Sequence, residues 1–100
     1  MSAYVVFIRE KTTDPVELKQ YAELAVAARA GHDISRVAFY GPMEVLEGPP
    51  AEGVAIVRFP DMAAARAWYD SPAYKAAREH RHKGATFRML LVEGSDVAAP

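Results

Sequence analysis

The stretch from Phe59 to Tyr74, FPDMAAARAWYDSPAY, constrains this chain more than any other, because it writes a strand end, a helix, a break and a second helix start in consecutive residues. Phe59 closes an apolar run, and Pro60 stops the strand. Asp61 is placed as an N-cap whose carboxylate accepts from the free amides of the alanine-rich first turn. Ser71 caps a second helix, with Pro72 at its first position, where the missing amide donor costs nothing and the fixed φ is already helical. Trp68, Tyr69 and Tyr74 read as aromatic packing of a bent helix against a sheet.

Around this segment the other elements fall into order. Tyr4 to Arg9 is a run of β-branched and aromatic residues, apolar on both alternating faces, and reads as the first strand. Asp14-Pro15-Val16-Glu17 opens a helix, with Asp14 as N-cap, Pro15 in the first position and Glu17 placed to reach back as in a capping box. Leu18, Tyr21, Ala22, Ala25 and Ala28 form its buried stripe, and Gly31 closes it. Ser35 to Tyr40 reads as the second strand, interrupted at Gly41-Pro42 and resumed from Glu44 to Glu47. A Gly-Pro loop leads into Val54 to Phe59, the third strand. The helix pair ends at Gly84, and Thr86 to Glu93 is the last strand.

The order βαββαβ, with the second helix broken in two, predicts an α+β ferredoxin-like fold: a four-stranded antiparallel sheet with its helices on one face. A sheet whose other face met water would alternate apolar and polar residues, yet Tyr4-Val-Val-Phe-Ile and Val54-Ala-Ile-Val are apolar on both sides. A second copy is the simplest cover, because a two-fold interface needs one self-complementary patch. A homodimer is therefore expected. Residues 1–95 are expected to form one domain, with 96–100 a frayed tail.

Met62-Ala-Ala-Ala-Arg-Ala-Trp-Tyr-Asp-Ser-Pro-Ala-Tyr, preceded by Val57-Arg58-Phe59-Pro60-Asp61, resembles a bacterial family known as a domain of unknown function, numbered thirteen-thirty. Three further segments match it in order: Tyr4-Val5-Val6-Phe7 leading to Asp14-Pro15, Glu44-Val45-Leu46-Glu47-Gly48, and Leu91-Val92-Glu93-Gly94. The resemblance covers nearly the whole chain. It implies a dimeric α/β barrel, in which the sheet of one ferredoxin-like protomer packs on that of another, and it implies no established reaction. The family looks to favour an acidic residue before the Phe-Pro and an Arg-Gly-Gly ahead of the Glu-Val-Leu-Glu-Gly; this chain has Arg58 and Tyr40-Gly41-Pro42 there.

Several function classes are disfavoured by composition. With no cysteine among 100 residues, disulfides, thiolate nucleophiles and thiolate metal sites are absent together, which fits a reducing cytoplasm, the expected location. Met1-Ser2-Ala3 runs straight into a strand pattern, so no signal peptide is expected, and no stretch is long and apolar enough to span a membrane. A net charge of −1 lacks the basic footprint of a nucleic-acid binder. No serine sits in a nucleophile elbow, and no glycine loop has phosphate-cradle spacing. Haem-degrading relatives of the wider barrel superfamily look to rely on an asparagine beside tryptophan and histidine, and this chain has no asparagine. No cofactor is expected.

Four residues stand out as ligand-binding candidates: Tyr40, Arg58, His80 and Arg88. In the cluster Arg78-Glu79-His80-Arg81-His82-Lys83, His80 and His82 point about 200° apart on a regular helix, so no metal site is expected from them. Cations also gather at a helix C-terminus because the macrodipole favours them, and His80 is the member best able to turn toward a cavity mouth and attract a carboxylate. Arg58 alternates with Val54 and Ile56, and Arg88 with Leu90 and Val92, which puts both arginines on the dimer-facing side. There a guanidinium must find a carboxylate or reach water; Glu44 or Glu47 could be the partner, or an anionic ligand. Tyr40, beside the Gly41-Pro42 break, either presents its hydroxyl to a pocket or is an ordinary strand-end tyrosine.

The reading that follows is a small-molecule-binding homodimer taking a small anionic or aromatic metabolite, in a pocket between sheet and helices or at the dimer interface. The alternative is a cofactor-independent oxygenase or isomerase acting on a small carbonyl or phenolic compound. These residues do not decide whether the chain is an enzyme.

Overall fold

A computed structural model describes residues 1–95; the C-terminal segment expected to fray, 96–100, lies outside the described residues. The elements are β1 (Ala3–Thr12), α1 (Pro15–Ala27), β2 (Ser35–Phe39), β3 (Gly53–Phe59), α2 (Met62–Tyr69), α3 (Pro72–Gly84) and β4 (Ala85–Glu93). The strands form one antiparallel sheet in the order β2-β3-β1-β4. This is the ferredoxin-like α+β arrangement, with all three helices on one face.

Strand alternation sorts the sheet into two surfaces. Ala3, Val5 and Phe7 of β1 and Ala55, Val57 and Phe59 of β3 are buried beneath the helices. Tyr4, Val6, Ile8, Val54, Ile56, Leu90 and Val92 occupy the other face, where register aligns Arg58, Tyr4 and Val92 in one row and Val54, Ile8 and Arg88 in another. That face is apolar along its middle, with Arg58 and Arg88 at diagonally opposite corners.

Helix ends follow the expected chemistry with one informative change. The Asp61 carboxylate accepts from the Ala64 amide at 2.7 Å, and Ser71 Oγ accepts from the Tyr74 amide while donating to the Trp68 carbonyl at 2.7 Å. Asp14 caps α1 by accepting from the Val16 and Glu17 amides. Glu17 does not complete a capping box. The Asp14 amide it would satisfy donates instead to the Gly84 carbonyl at 2.9 Å, beside the Thr13 amide at 2.8 Å, which leaves the Glu17 carboxylate free to accept from His80 Nδ1.

The start of α1 is thereby fastened to the end of α3. A side-chain carbon at Gly84 would lie 2.8 Å from the Leu18 amide nitrogen, so only glycine permits this approach. Two expected boundaries change. Helix α1 ends at Ala27, and a turn continues to Gly31. The chain from Glu44 to Glu47 forms no strand but belongs to the exposed loop that follows Tyr40. Gly41 and Pro42 begin that loop, and Pro42 offers no amide with which a ladder could resume.

Candidate functional site

Helix α1 buries no residue of its own; of its expected core stripe, Leu18, Tyr21, Ala22 and Ala25 line a cavity, and Ala28, just past the helix end, is buried. The helix is held at its start by Gly84 and at its end by Ala28 and by Arg29 Nη2, which donates to the Ile34 carbonyl at 3.0 Å. Between these points Ala22 and Ala25 are too small to reach the sheet. The resulting space, about 320 Å³, runs between α1 and the buried face of β3 and β1.

Its buried end is aromatic. Trp68, 4% exposed, sits with its ring centroid 4.0 Å from that of Tyr74, 5.2 Å from Phe59 and 6.2 Å from Phe7. The Trp68 indole Nε1 is buried with no acceptor of the protein in reach. Behind the cavity wall the Tyr21 and Tyr74 hydroxyls are 2.8 Å apart, and Arg81, itself buried, stacks over Phe87 at 5.3 Å.

The opposite end is polar and open. Arg9 continues the helix-side row of Ala3, Val5 and Phe7, and its guanidinium lies 4.9 Å from the Tyr40 ring centre. Its Nε is 3.2 Å from Glu52 Oε1, close enough for an ion pair but without hydrogen-bond geometry, and Glu52 also accepts from the Thr12 hydroxyl at 2.6 Å. That hydroxyl is the main reason the Glu52 carboxyl is held below its ordinary pKa. Tyr40 has φ of +54°, which turns its ring back over Gly53, where a side-chain carbon would lie 2.8 Å from Tyr40 Cδ1. Arg29 and Arg36 also border the space, and no aspartate, glutamate or histidine does.

Protonation follows from burial. Desolvation, then the neighbouring Tyr74, pushes the Tyr21 hydroxyl far above the ordinary tyrosine value. Burial raises Tyr40 too, against the opposing pull of Arg9. Both phenols are therefore donors at neutral pH. The cavity presents apolar walls, hydrogen-bond donors and positive charge, without a basic side chain to abstract a proton.

Of the four sequence candidates, Tyr40 alone borders this cavity. Arg58 and Arg88 are exposed on the opposite face of the sheet, and neither has an ion-pair partner among the described residues. Glu44 and Glu47, the expected partners, stand exposed in the loop. His80 finds its carboxylate within the chain, at Glu17, 2.5 Å away. His82 turns elsewhere, with Nε2 3.3 Å from Arg81 Nη2. Among the described residues no group of three or more His, Asp or Glu side chains is placed to hold a metal ion. None of the described helices is long and apolar enough to cross a membrane.

Sequence reasoning missed Arg9, Arg36 and the cavity role of Tyr21. Parity with Phe7 marks Arg9 as a helix-side residue. No such signal marks Arg36, because an irregularity in β2 between Arg36 and Ala38 resets the alternation.

Comparison with known proteins agrees with this architecture. The model of the family described as "Domain of unknown function (DUF1330)" matches residues 2–95. The chain belongs to that family. Among solved structures, a Rhodopseudomonas palustris protein of unknown function superposes with a TM-score of 0.70 at 19% identity, over 93% of this chain and 82% of that one. SnoaB, a cofactor-independent oxygenase from Streptomyces nogalater, gives 0.65 at 14% identity over 99% and 98%. A dimeric Bacteroides fragilis protein of unknown function and ferredoxin-like fold gives 0.62 at 12% over 93% and 96%. At these identities the likeness is one of fold. No curated protein matches the sequence.

Proposed function

We propose that this DUF1330 protein is a homodimer that binds a small, partly apolar acid in the cavity beneath α1. The observation that carries the reading is the combination of about 320 Å³ of apolar space with three bordering arginines and no bordering carboxylate. A pocket of this size and character is the usual form of a small-molecule site. Self-association is supported by the uncovered apolar sheet face, on which Leu90 and Val92 are exposed, and by the dimeric B. fragilis neighbour. In such a dimer Arg58 and Arg88 would frame the interface. A ligand bound there is the other placement that their unpaired charges support.

A thermal-shift screen of small aromatic carboxylates and phenols tests the reading. Hits should raise the unfolding midpoint with ligand concentration. Ala25→Trp, which fills the cavity from α1, should abolish them, whereas Arg58→Met should leave them intact. Loss of the hits in Arg58→Met alone would move the site to the open sheet face. Sedimentation at micromolar concentration should show a species of twice the 11.0 kDa chain mass.

The oxygenase neighbour favours a second reading, a cofactor-independent oxygenase or isomerase. Without a bordering base, the substrate would have to be an enol or phenol acidic enough to ionise against the donors of the cavity. Oxygen uptake or isomer formation with the screening hits decides between binding and turnover.

A further inference from the structure

Two sets of exposed charges, opposite in sign, have no partner among the described residues. On the open face of the sheet these are Arg58 and Arg88, and in the loop between β2 and β3 they are Glu44 and Glu47. Exposed apolar side chains accompany both sets. Leu90 and Val92 follow Arg88 on the same face of β4 and are 44% and 52% exposed, while Val45 and Leu46, between the two glutamates, are 44% and 87% exposed. Exposed apolar residues rimmed by charge mark interaction surfaces, and this chain carries two of them with complementary signs.

The loop does not reach the arginines within its own protomer. Residues 41–50 are all exposed, so the loop stands away from the body of the chain and is free to meet another molecule. Ten residues, out and back, reach up to about 16 Å, more than the roughly 10 Å between two stacked sheets.

Symmetry decides where such a loop falls. The strand order β2-β3-β1-β4 puts the midline of the sheet between β3 and β1. A two-fold axis along that midline, running between two facing sheets with aligned strands, sets β2 of each copy over β4 of the other and keeps equivalent sheet ends together. The loop joins β2 to β3 at the end of the sheet where Val54, Ile8 and Arg88 share a row. It therefore arrives over the Arg88 end of the second copy's β4.

On the reading that the chain is a homodimer joined through this open face, we propose that residues 41–50 form a clasp. Glu44 and Glu47 of each protomer pair with the partner subunit's Arg88, and Val45 and Leu46 cover the partner subunit's Leu90. The occupant of the face is then a second copy of this chain. Arg58, at the far end of β3, lies outside the clasp.

Charge exchange between two chains tests this arrangement. Arg88→Glu, and separately the double variant Glu44→Lys with Glu47→Lys, should each weaken the dimer about tenfold or more in sedimentation, because like charges then face each other twice per dimer. All three positions are exposed, so each variant should keep the circular dichroism of the native fold. Mixed in equal amounts, the two should form a heterodimer of near-native affinity, since every loop then meets a residue of opposite charge. Arg58→Glu should not rescue the loop variant; rescue by it would overturn the placement over Arg88. Weakened variants that fail to form the heterodimer, or a loop variant that dimerises as tightly as the native protein, would overturn the clasp and leave the homodimer standing. A native chain that sediments as a monomer at micromolar concentration would overturn the homodimer reading and the clasp together.

Discussion

Helices α2 and α3 and helix α1 cover the same face of one sheet, yet one part of that layer is solid and the other hollow. Under α2 and α3, Trp68, Tyr74 and Phe59 meet ring to ring, and Ala65 and Ala77 are small because neighbouring backbones and rings leave no room. Under α1 the alanines Ala22 and Ala25 face open space. Residue type alone does not separate these cases. What separates them is what each helix packs on: α2 and α3 meet the sheet through the aromatic cluster, whereas α1 lies against α3, through Tyr21 on Tyr74 and Leu18 at Gly84, and stands off the sheet. A helix held by a neighbouring helix rather than by the sheet leaves a space that side chains do not fill, and a binding site can form there without loss of the core that holds the fold.

The largest expected effect lies where the two regions meet. Trp68 packs on the aromatic cluster from one side and borders the cavity on the other. Trp68→Ala should cost about 3 to 5 kcal/mol in denaturant unfolding, as large aromatic truncations in cores do. A cost below about 1 kcal/mol would mean that the supposedly packed region relaxes as freely as the hollow one, and the comparison would break.

A matched pair of insertions sharpens it. Ala77, fully buried in α3, should not accept extra methyl groups, so Ala77→Leu should destabilise by about 1 to 3 kcal/mol. The same change at Ala25 enters open space and adds apolar contact, so Ala25→Leu should stay within about 0.5 kcal/mol of the native protein or stabilise it. Chemical denaturation of the two variants measures the difference directly. Equal costs would show that α1 rests closer to the sheet in solution than its alanines imply.

How much of this was legible depends on the range of the signal. The strands, the Asp14, Asp61 and Ser71 caps and the two faces of β3 and β4 rest on alternation and local hydrogen bonding, and the sequence carries those in adjacent residues. The stripe of α1 was equally legible as a stripe, but periodicity reports which side of a helix faces inward, not how far away the opposing wall stands. Glu17 shows the same limit. Its spacing from Asp14 fits a capping box, and only the arrival of Gly84 and His80 from far along the chain redirects it. Tyr40 is legible as a candidate from its place beside the Gly41-Pro42 break, but the positive φ that turns its ring over Gly53 is announced by no pattern.

The smallest expected effect concerns pH and the partners of Arg81, the buried cation behind the aromatic cluster. His82 Nε2 accepts from Arg81 Nη2 at 3.3 Å, which requires an unprotonated imidazole nitrogen. Burial, then the charges of Arg81 and Arg78, lowers the His82 pKa below its ordinary value, against the weaker pull of Glu79. The unfolded chain takes up this proton near pH ~6.5, and the folded chain only at lower pH. Stability is therefore fully present above about pH 6.5 and declines as pH falls toward the folded value, because the unfolded state binds more protons in that window. His82 is exposed, so solvent screens the effect and the slope is shallow. His82→Gln keeps an acceptor for Arg81 and removes the titration. Between about pH 7.5 and pH 5.5 its unfolding midpoint should fall less than that of the native protein. An identical fall in both would place the acceptor for Arg81 within the tyrosine pair of Tyr74 and Tyr21, tying the solid region to the cavity wall through hydrogen bonds rather than to the surface.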